Sequence, residues 1–370
     1  MSNFKDYNNR CSGIDMLKIT AMILITLIHY FGYSSISENQ NLLLSNRIVI
    51  TALRVLTTVA VNIFPMITGY LLYNKKQNTS RPFKLLCEGW FYSFVLMFVG
   101  LIIAGGKISP VNVLYSVFPF FTMHYWYLTA VIVLYLLSPF LNFILKSISD
   151  ARLLIYISIG GTLITVYYVT NPFIISDVYI GHPRGIIWLG FLYLVGGCIK
   201  RCGINSTEAP TYKSKIFWAS VALLSFTVIF AIKYLNLPST LKNAQLLSDY
   251  AFLPFILTLS IFCLFKDLHI KCNRTVKILS RLAECSFGVY LIQEHVMIRG
   301  AYWSVFDANK YANSHYLILQ LLCAVVVIWP FAYVGHFLFK KIFNLFGIKV
   351  YNAIIKAVSS LPFLRDKTSD

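Results

Sequence analysis

Charge is what this chain has least of. Only 12% of its 370 residues are charged, about half the roughly 25% of an ordinary soluble domain. Acid is scarcest, with 14 Asp and Glu against 32 Lys and Arg. That excludes the solvated surface of a soluble globular protein. The polar stretches 34–46, 74–83, 201–214 and 236–248 are all short, leaving no room for an appended soluble domain. The eight cysteines form no Cys-x-x-Cys pair and no secreted-type framework, which argues for reduced thiols and against a metal site. The first apolar segment lacks a small-residue cleavage site and carries Asp15 and His29. It therefore reads as a span, not as a cleavable signal peptide. No internal repeat is visible, whereas transporters often have one.

Apolar sequence fills the rest. Hydrophobic residues make up 58% of the chain, and the mean hydropathy is +0.68. Runs long enough to cross a bilayer recur throughout. They predict helices at about 13–33, 48–73, 84–105, 125–145, 153–170, 185–199, 216–235, 249–265, 282–300 and 315–339. The expected fold is all-α, a polytopic membrane bundle of about ten transmembrane helices. Residues 1–340 form the membrane domain, and 341–370 a basic amphipathic tail on the inner surface. Segment 108–123 is apolar but too short to span, so a re-entrant or interfacial role is expected.

The net charge of +18 suggests nucleic acid until its distribution is read. Alternate loops are basic: Lys5 and Arg10; Lys75, Lys76, Arg81 and Lys84; Lys146 and Arg152; Lys200 to Lys215; Lys266 to Arg281; and Lys340 to Lys367. With Lys18 they hold three quarters of all Lys and Arg. This is the positive-inside pattern of a multi-pass protein with both termini in the cytoplasm. The partner it implies is the bilayer, not nucleic acid.

Several polar groups lie within the spans, where an ionisable residue is a functional-site hypothesis by default. Lys18 and His29 are eleven residues apart, three helical turns plus roughly 20°, so they share a face about 16 Å apart along the axis. Asp15 lies about 40° off the face of His29 and about 21 Å below it. An imidazole there can serve as a general base towards a hydroxyl, or as a nucleophile; a buried structural histidine is the plainer alternative. Lys18 can hold a phosphate as a point charge, or merely snorkel. His295 is expected about 20 Å along its span and His29 about 22 Å along its own, at a similar depth. Glu294 beside His295 can orient or tune an imidazole. Arg81 and Lys84, with Lys75 and Lys76, can form a phosphate-binding rim. His124, Tyr125, Trp126 and Tyr127 fit an aromatic belt and equally a platform for sugars. Asn62, Pro65, Thr68 and Gly69 predict a kinked, closely packed second span. Glu88 needs a buried partner, for which Arg54 is a candidate.

In order, these segments resemble the acyltransferase 3 family of integral-membrane acyltransferases. That family's Asp-x-x-Arg, ten residues, then His is similar to Asp15-Met-Leu-Lys18, ten residues, His29. Its Phe-x-x-x-Ser-Gly-Tyr-Leu resembles Phe64–Leu71, and its Arg-x-x-Arg resembles Arg81-Pro-Phe-Lys84. His124–Leu128, Tyr135–Pro139 and Ser286–Gln293 match further elements, with Gln293 where His is frequent. Lys stands for Arg at 18 and 84, keeping charge but losing bidentate geometry.

The resemblance implies transfer of an acyl group, commonly acetyl, from cytoplasmic acyl-CoA, with no metal. The acceptor would be a hydroxyl of a cell-surface polysaccharide or its lipid-linked oligosaccharide precursor, at the plasma (inner) membrane. It implies catalysis at His29, with His295 and Glu294 as further candidates. Lys18, Arg81, Lys84 and Asp15 would hold the donor, and Trp126, Tyr125 and His124 the acceptor. The alternatives are a flippase or secondary transporter for a glycan or lipid-linked anion, and a purely structural membrane partner.

Overall fold

The computed structural model describes residues 11–36, 39, 41–76, 78–106, 109–122, 124–170, 185–203, 212–235 and 247–360. Among them the protein is helical, with no strands. Lys5, Arg10 and the last residues of the expected tail, including Arg365 and Lys367, lie outside the described residues. The helices are α1 (Ser12–Ser34), α2 (Leu44–Thr57), α3 (Ala60–Leu72), α4 (Ser80–Ile103), α5 (Pro110–Val117), α6 (Trp126–Ser147) and α7 (Asp150–Thr170). They continue with α8 (Ile186–Arg201), α9 (Tyr212–Tyr234), α10 (Phe252–Lys266), α11 (Asn273–Glu294), α12 (Arg299–Val305), α13 (Leu317–Ile342) and α14 (Ile348–Ser359). Each of the ten expected segments is helical. Among the described residues, seven helices are long and apolar enough to cross a membrane. α10 is shorter but apolar.

Helix α1 is the hub, packing on α2, α3, α10, α11 and α13. Its base is pinned to the end of α10. Cys11 Sγ donates to the Lys266 carbonyl at 3.0 Å, and Ser12 Oγ to that of Leu268 at 2.9 Å. Asn142 Nδ2 donates to the Leu72 carbonyl at 3.1 Å, and Arg201 pairs with Asp150 at 2.8 Å. These bonds tie the start of α1 to the end of α10, the end of α3 to α6, and the end of α8 to the start of α7.

The second expected span differs in detail. It breaks at Thr58–Val59 into α2 and α3, and Pro65 lies within α3. Proline removes one backbone donor and crowds the preceding turn, yet α3 continues through it. The contact of α3 with α8 is the most extensive in the bundle. Its reason is glycine. A Cβ on Gly69 would lie 2.0 Å from the Tyr193 carbonyl oxygen, and one on Gly196 2.0 Å from that of Met66. Small residues are what let helix backbones approach this closely in lipid. Above the crossing, buried Asn62 donates to the Asp249 carbonyl at 2.6 Å and accepts from Trp188 Nε1 at 2.9 Å.

The expected partner of Glu88 changes. Glu88 is paired with His336, Nδ1 to Oε1 3.2 Å, and Arg54 instead lines a separate cavity with Lys233 and Asp249. α13 passes through one π-helical turn, Phe343–Gly347, into α14 without a break. The tail docks on α4: the Tyr351 and Thr79 hydroxyls are 2.7 Å apart, and the Tyr351 ring lies 5.4 Å from Phe83. Segment 109–122 forms α5, too short to span, held against α4 by Ser93 Oγ donating to the Ser116 carbonyl at 2.7 Å.

The backbone approach generates a stability prediction. Gly69→Ala and Gly196→Ala should each cost about 1–3 kcal/mol and lower the Tm of the purified protein. Gly190→Ala, with open space around its Cβ position, should leave Tm unchanged or raise it. Equal Tm for all three would refute backbone contact as the basis of the α3–α8 interface.

Candidate active site

Two rows of side chains face one another across the bundle. On α1 the row is Lys18, Met22, Ile25 and His29, at the three- and four-residue steps that share a helical face. On α11 it is Ala283, Ser286, Phe287, Tyr290 and Glu294. A cavity of about 340 Å³ lies between them, lined by Lys18, Met22 and Ile25 of α1 and by Ser286, Phe287 and Tyr290 of α11. Thr68 of α3, Arg81 of α4 and Tyr127 and Tyr135 of α6 complete its wall. Lys18 and Arg81 mark its basic end. Ile25 and Tyr290 lie one turn short of His29 and Glu294.

At the far end His29 Nε2 lies 3.3 Å from Glu294 Oε1. The depth match expected between the first and the penultimate spans is therefore made by Glu294. The contact is an ion pair when the imidazole is protonated, so the carboxylate is placed to stabilise that form. Tyr33, one turn beyond His29, donates its hydroxyl to the same Oε1 at 3.4 Å. The Tyr33 and Trp303 rings stack 5.7 Å apart at 12°, and Trp303 stands edge-on to His29 at 6.4 Å.

His295 is not brought to this pair. α11 ends at Glu294, and His295 takes an extended backbone, so consecutive side chains diverge. Nδ1 of His295 accepts from the Met297 N–H at 3.3 Å, and Nε2 lies 3.1 Å from the Ser93 carbonyl. Both nitrogens are thus committed to backbone. His124 packs on His295 with ring centroids 5.4 Å apart, and its Nε2 accepts from the Val296 N–H at 3.2 Å. Burial above all, then His295 and Arg299 nearby, pushes His124 down to about 3, so it stays neutral. Tyr125 is fully buried and donates to the Leu291 carbonyl at 3.1 Å. Trp126 is partly buried, edge-on to Tyr127. The structure gathers His124 and Tyr125 behind His295; the aromatic surface beside His29 is made by Tyr33 and Trp303.

At the basic end Asp15 is buried and lies 3.7 Å from Lys18 Nζ. Arg81 is directed at the Tyr135 hydroxyl. A second cavity, of about 410 Å³, shares Leu72, Arg81 and Tyr135 with the first and adds Lys75, Lys76 and Lys146 to its lining. Lys84 turns away, its Nζ 6.0 Å from the centre of the Phe343 ring. Among the described residues no group of three His, Cys, Asp or Glu is placed to hold a metal ion.

Sequence reasoning missed Tyr33, Trp303 and Lys146. Tyr33 carried a usable signal, four residues beyond His29 and so on its face. Trp303 carried none, because only the turn at 295–298 returns α12 to α1.

Residues 12–335 match the sequence model of the acyltransferase domain that defines the acyltransferase 3 family. The chain belongs to this family and is a multi-pass membrane acyltransferase. No curated protein and no solved structure matches it significantly.

The His29–Glu294 contact generates the next prediction. Glu294→Gln keeps an acceptor for Nε2–H but removes the charge that would stabilise an imidazolium. Acyl transfer should fall about 10²-fold or more, with the KM for the donor little changed. Full activity in Glu294→Gln would show that the carboxylate has no part in the reaction.

Proposed function

We propose that the protein moves an acyl group, acetyl first among them, from cytoplasmic acyl-CoA to a hydroxyl of a cell-surface polysaccharide or its lipid-linked precursor. The observation that carries this reading is the alignment of the site along α1. Two cavities that share Leu72, Arg81 and Tyr135 lie at its basic end, and the row Lys18, Met22, Ile25 runs on to an imidazole–carboxylate pair one turn beyond the cavity lining.

On this reading Lys75, Lys76, Arg81 and Lys146 face the nucleotide phosphates as point charges, with Lys18 held by Asp15 at the cavity mouth. The pantetheine arm lies along Met22 and Ile25, since the roughly 16 Å from Lys18 to His29 is comparable to its extended length. The acceptor approaches from the Tyr33–Trp303 side, where a sugar ring can stack on an aromatic face. His29 Nδ1 takes the hydroxyl proton while the oxygen attacks the thioester carbon. Glu294 stabilises the imidazolium. The tetrahedral intermediate then re-forms its carbonyl, the C–S bond breaks, and the thiolate recovers the proton from His29. The products are an ester and CoA. His295 acts here through position, fixing the turn that follows Glu294.

The test uses membrane vesicles that carry the acceptor and radiolabelled acetyl-CoA. Label should pass to the glycan fraction. His29→Ala should abolish transfer without loss of membrane insertion. Arg81→Gln should raise the donor KM, and Lys18→Arg should preserve or improve activity. Glycan movement across the bilayer without covalent label would favour a transporter. Full acylation by a well-expressed His29→Ala protein would overturn the assignment of the base.

A further inference from the structure

We propose that Gln293 is the hydrogen-bond donor to the thioester oxygen as that oxygen becomes an oxyanion, a role that rests on the acyl-transfer reading above. Gln293 is fully buried, and neither its Nε2 nor its Oε1 has a hydrogen-bond partner among the described residues. An amide can make four hydrogen bonds, and an empty buried one is a costly defect that calls for an explanation. A side chain needed only to fill this space would be better as Met or Leu.

Position supplies the explanation. Gln293 follows Ser286 by seven residues, two turns less about 20°, and Ser286 lines the cavity. By helical phase Gln293 therefore lies on the Ser286 edge of α11, past the last lining residue Tyr290 and beside Glu294. Its neighbour Glu294 reaches His29 at 3.3 Å. Other buried donors without partners collect nearby. Trp303 Nε1 is one, on a ring 6.4 Å from His29. Gln320 Nε2 is another, on a side chain whose Oε1 accepts from Tyr30, the residue after His29. Ser280 Oγ, also without a partner among the described residues, lies about 20 Å down α11 from Gln293.

When the acceptor oxygen bonds to the thioester carbon, the carbonyl π pair moves onto its oxygen. A fixed, uncharged N–H pair with no competing partner binds that oxygen more strongly as it turns negative. Gln293 makes and breaks no covalent bond. When the C–S bond breaks, the pair returns to the carbonyl and the donors relax. An N–H donor is also what Gln shares with the His that is frequent at this position of the family pattern.

The decisive variant is Gln293→Met, of similar length and without the amide. Turnover is read as transfer of radiolabelled acetyl-CoA to acceptor-bearing vesicles, and Tm on purified protein without donor. The expected result is a loss of about 10²-fold or more in kcat, a donor KM little changed, and a Tm that holds or rises. Gln293→His should recover most of the lost kcat. Undiminished kcat in Gln293→Met, beside an inactive His29→Ala, overturns the oxyanion role and leaves the acyl-transfer reading standing. A lowered Tm with no recovery in Gln293→His makes the amide a packing group and overturns it too. Absence of transfer by the unaltered protein overturns both.

Discussion

The alignment of α1 against α11 is the constraint on which the site depends. Helix geometry alone puts Lys18 and His29 in one row, but it does not say what they face. A slip of one residue would move His29 by about 1.5 Å along the axis and rotate it by about 100°, taking it off Glu294. The register is fixed at the base. Ser12 Oγ donates to the Leu268 carbonyl and accepts from the Ile270 N–H at 2.9 Å. Gly13 lies so close to the Phe265 carbonyl that a Cβ would come within 1.8 Å. These contacts hold α1 by its first turn, and the rest of the helix follows as a rigid rod.

Burial makes the few ionisable groups within the bundle informative. An unpaired charge in the low-dielectric interior of a membrane protein is expensive, so these groups are found in pairs. Asp15 holds Lys18, Glu88 holds His336, and Glu294 holds His29. On the proposed reading, the first pair stands where donor phosphates would arrive and the third is the acid–base unit. The second joins α4 to α13 away from the cavity and reads as structural. Against this pairing, the Gln293 amide, without a partner among the described residues, is an exception beside Glu294.

Much of the fold was legible because apolar runs in lipid have few solutions. Every backbone group must be paired within its own segment, so each long run becomes a helix, and all ten expected segments are helical. Boundaries were less legible. The break at Thr58–Val59 has no proline or glycine to announce it, whereas Pro65 does announce a kink and is absorbed within α3. The basic, amphipathic stretch after 340 reads as a separate tail, yet nothing in Phe343–Gly347 stops the helix, and Phe83 gives Tyr351 a docking place. Glycine positions were legible as close-packing sites, but their partners were not: Gly69 meets Tyr193 and Gly196 meets Met66, far along the chain.

By itself the sequence determined the all-helical membrane class, the row from Lys18 to His29, and the family. Each follows from local periodicity, from charge placement, or from ordered motifs. It did not determine which of two adjacent residues meets His29. The end of α11 decided that, sending Glu294 towards α1 and His295 towards the Ser93 carbonyl. Nor did it determine where aromatic surface meets the site, which the turn before α12 decided by returning Trp303 to Tyr33. Helical rows are properties of one segment and can be read along the chain. Contacts between segments depend on packing among helices hundreds of residues apart, and only the tertiary structure fixes those.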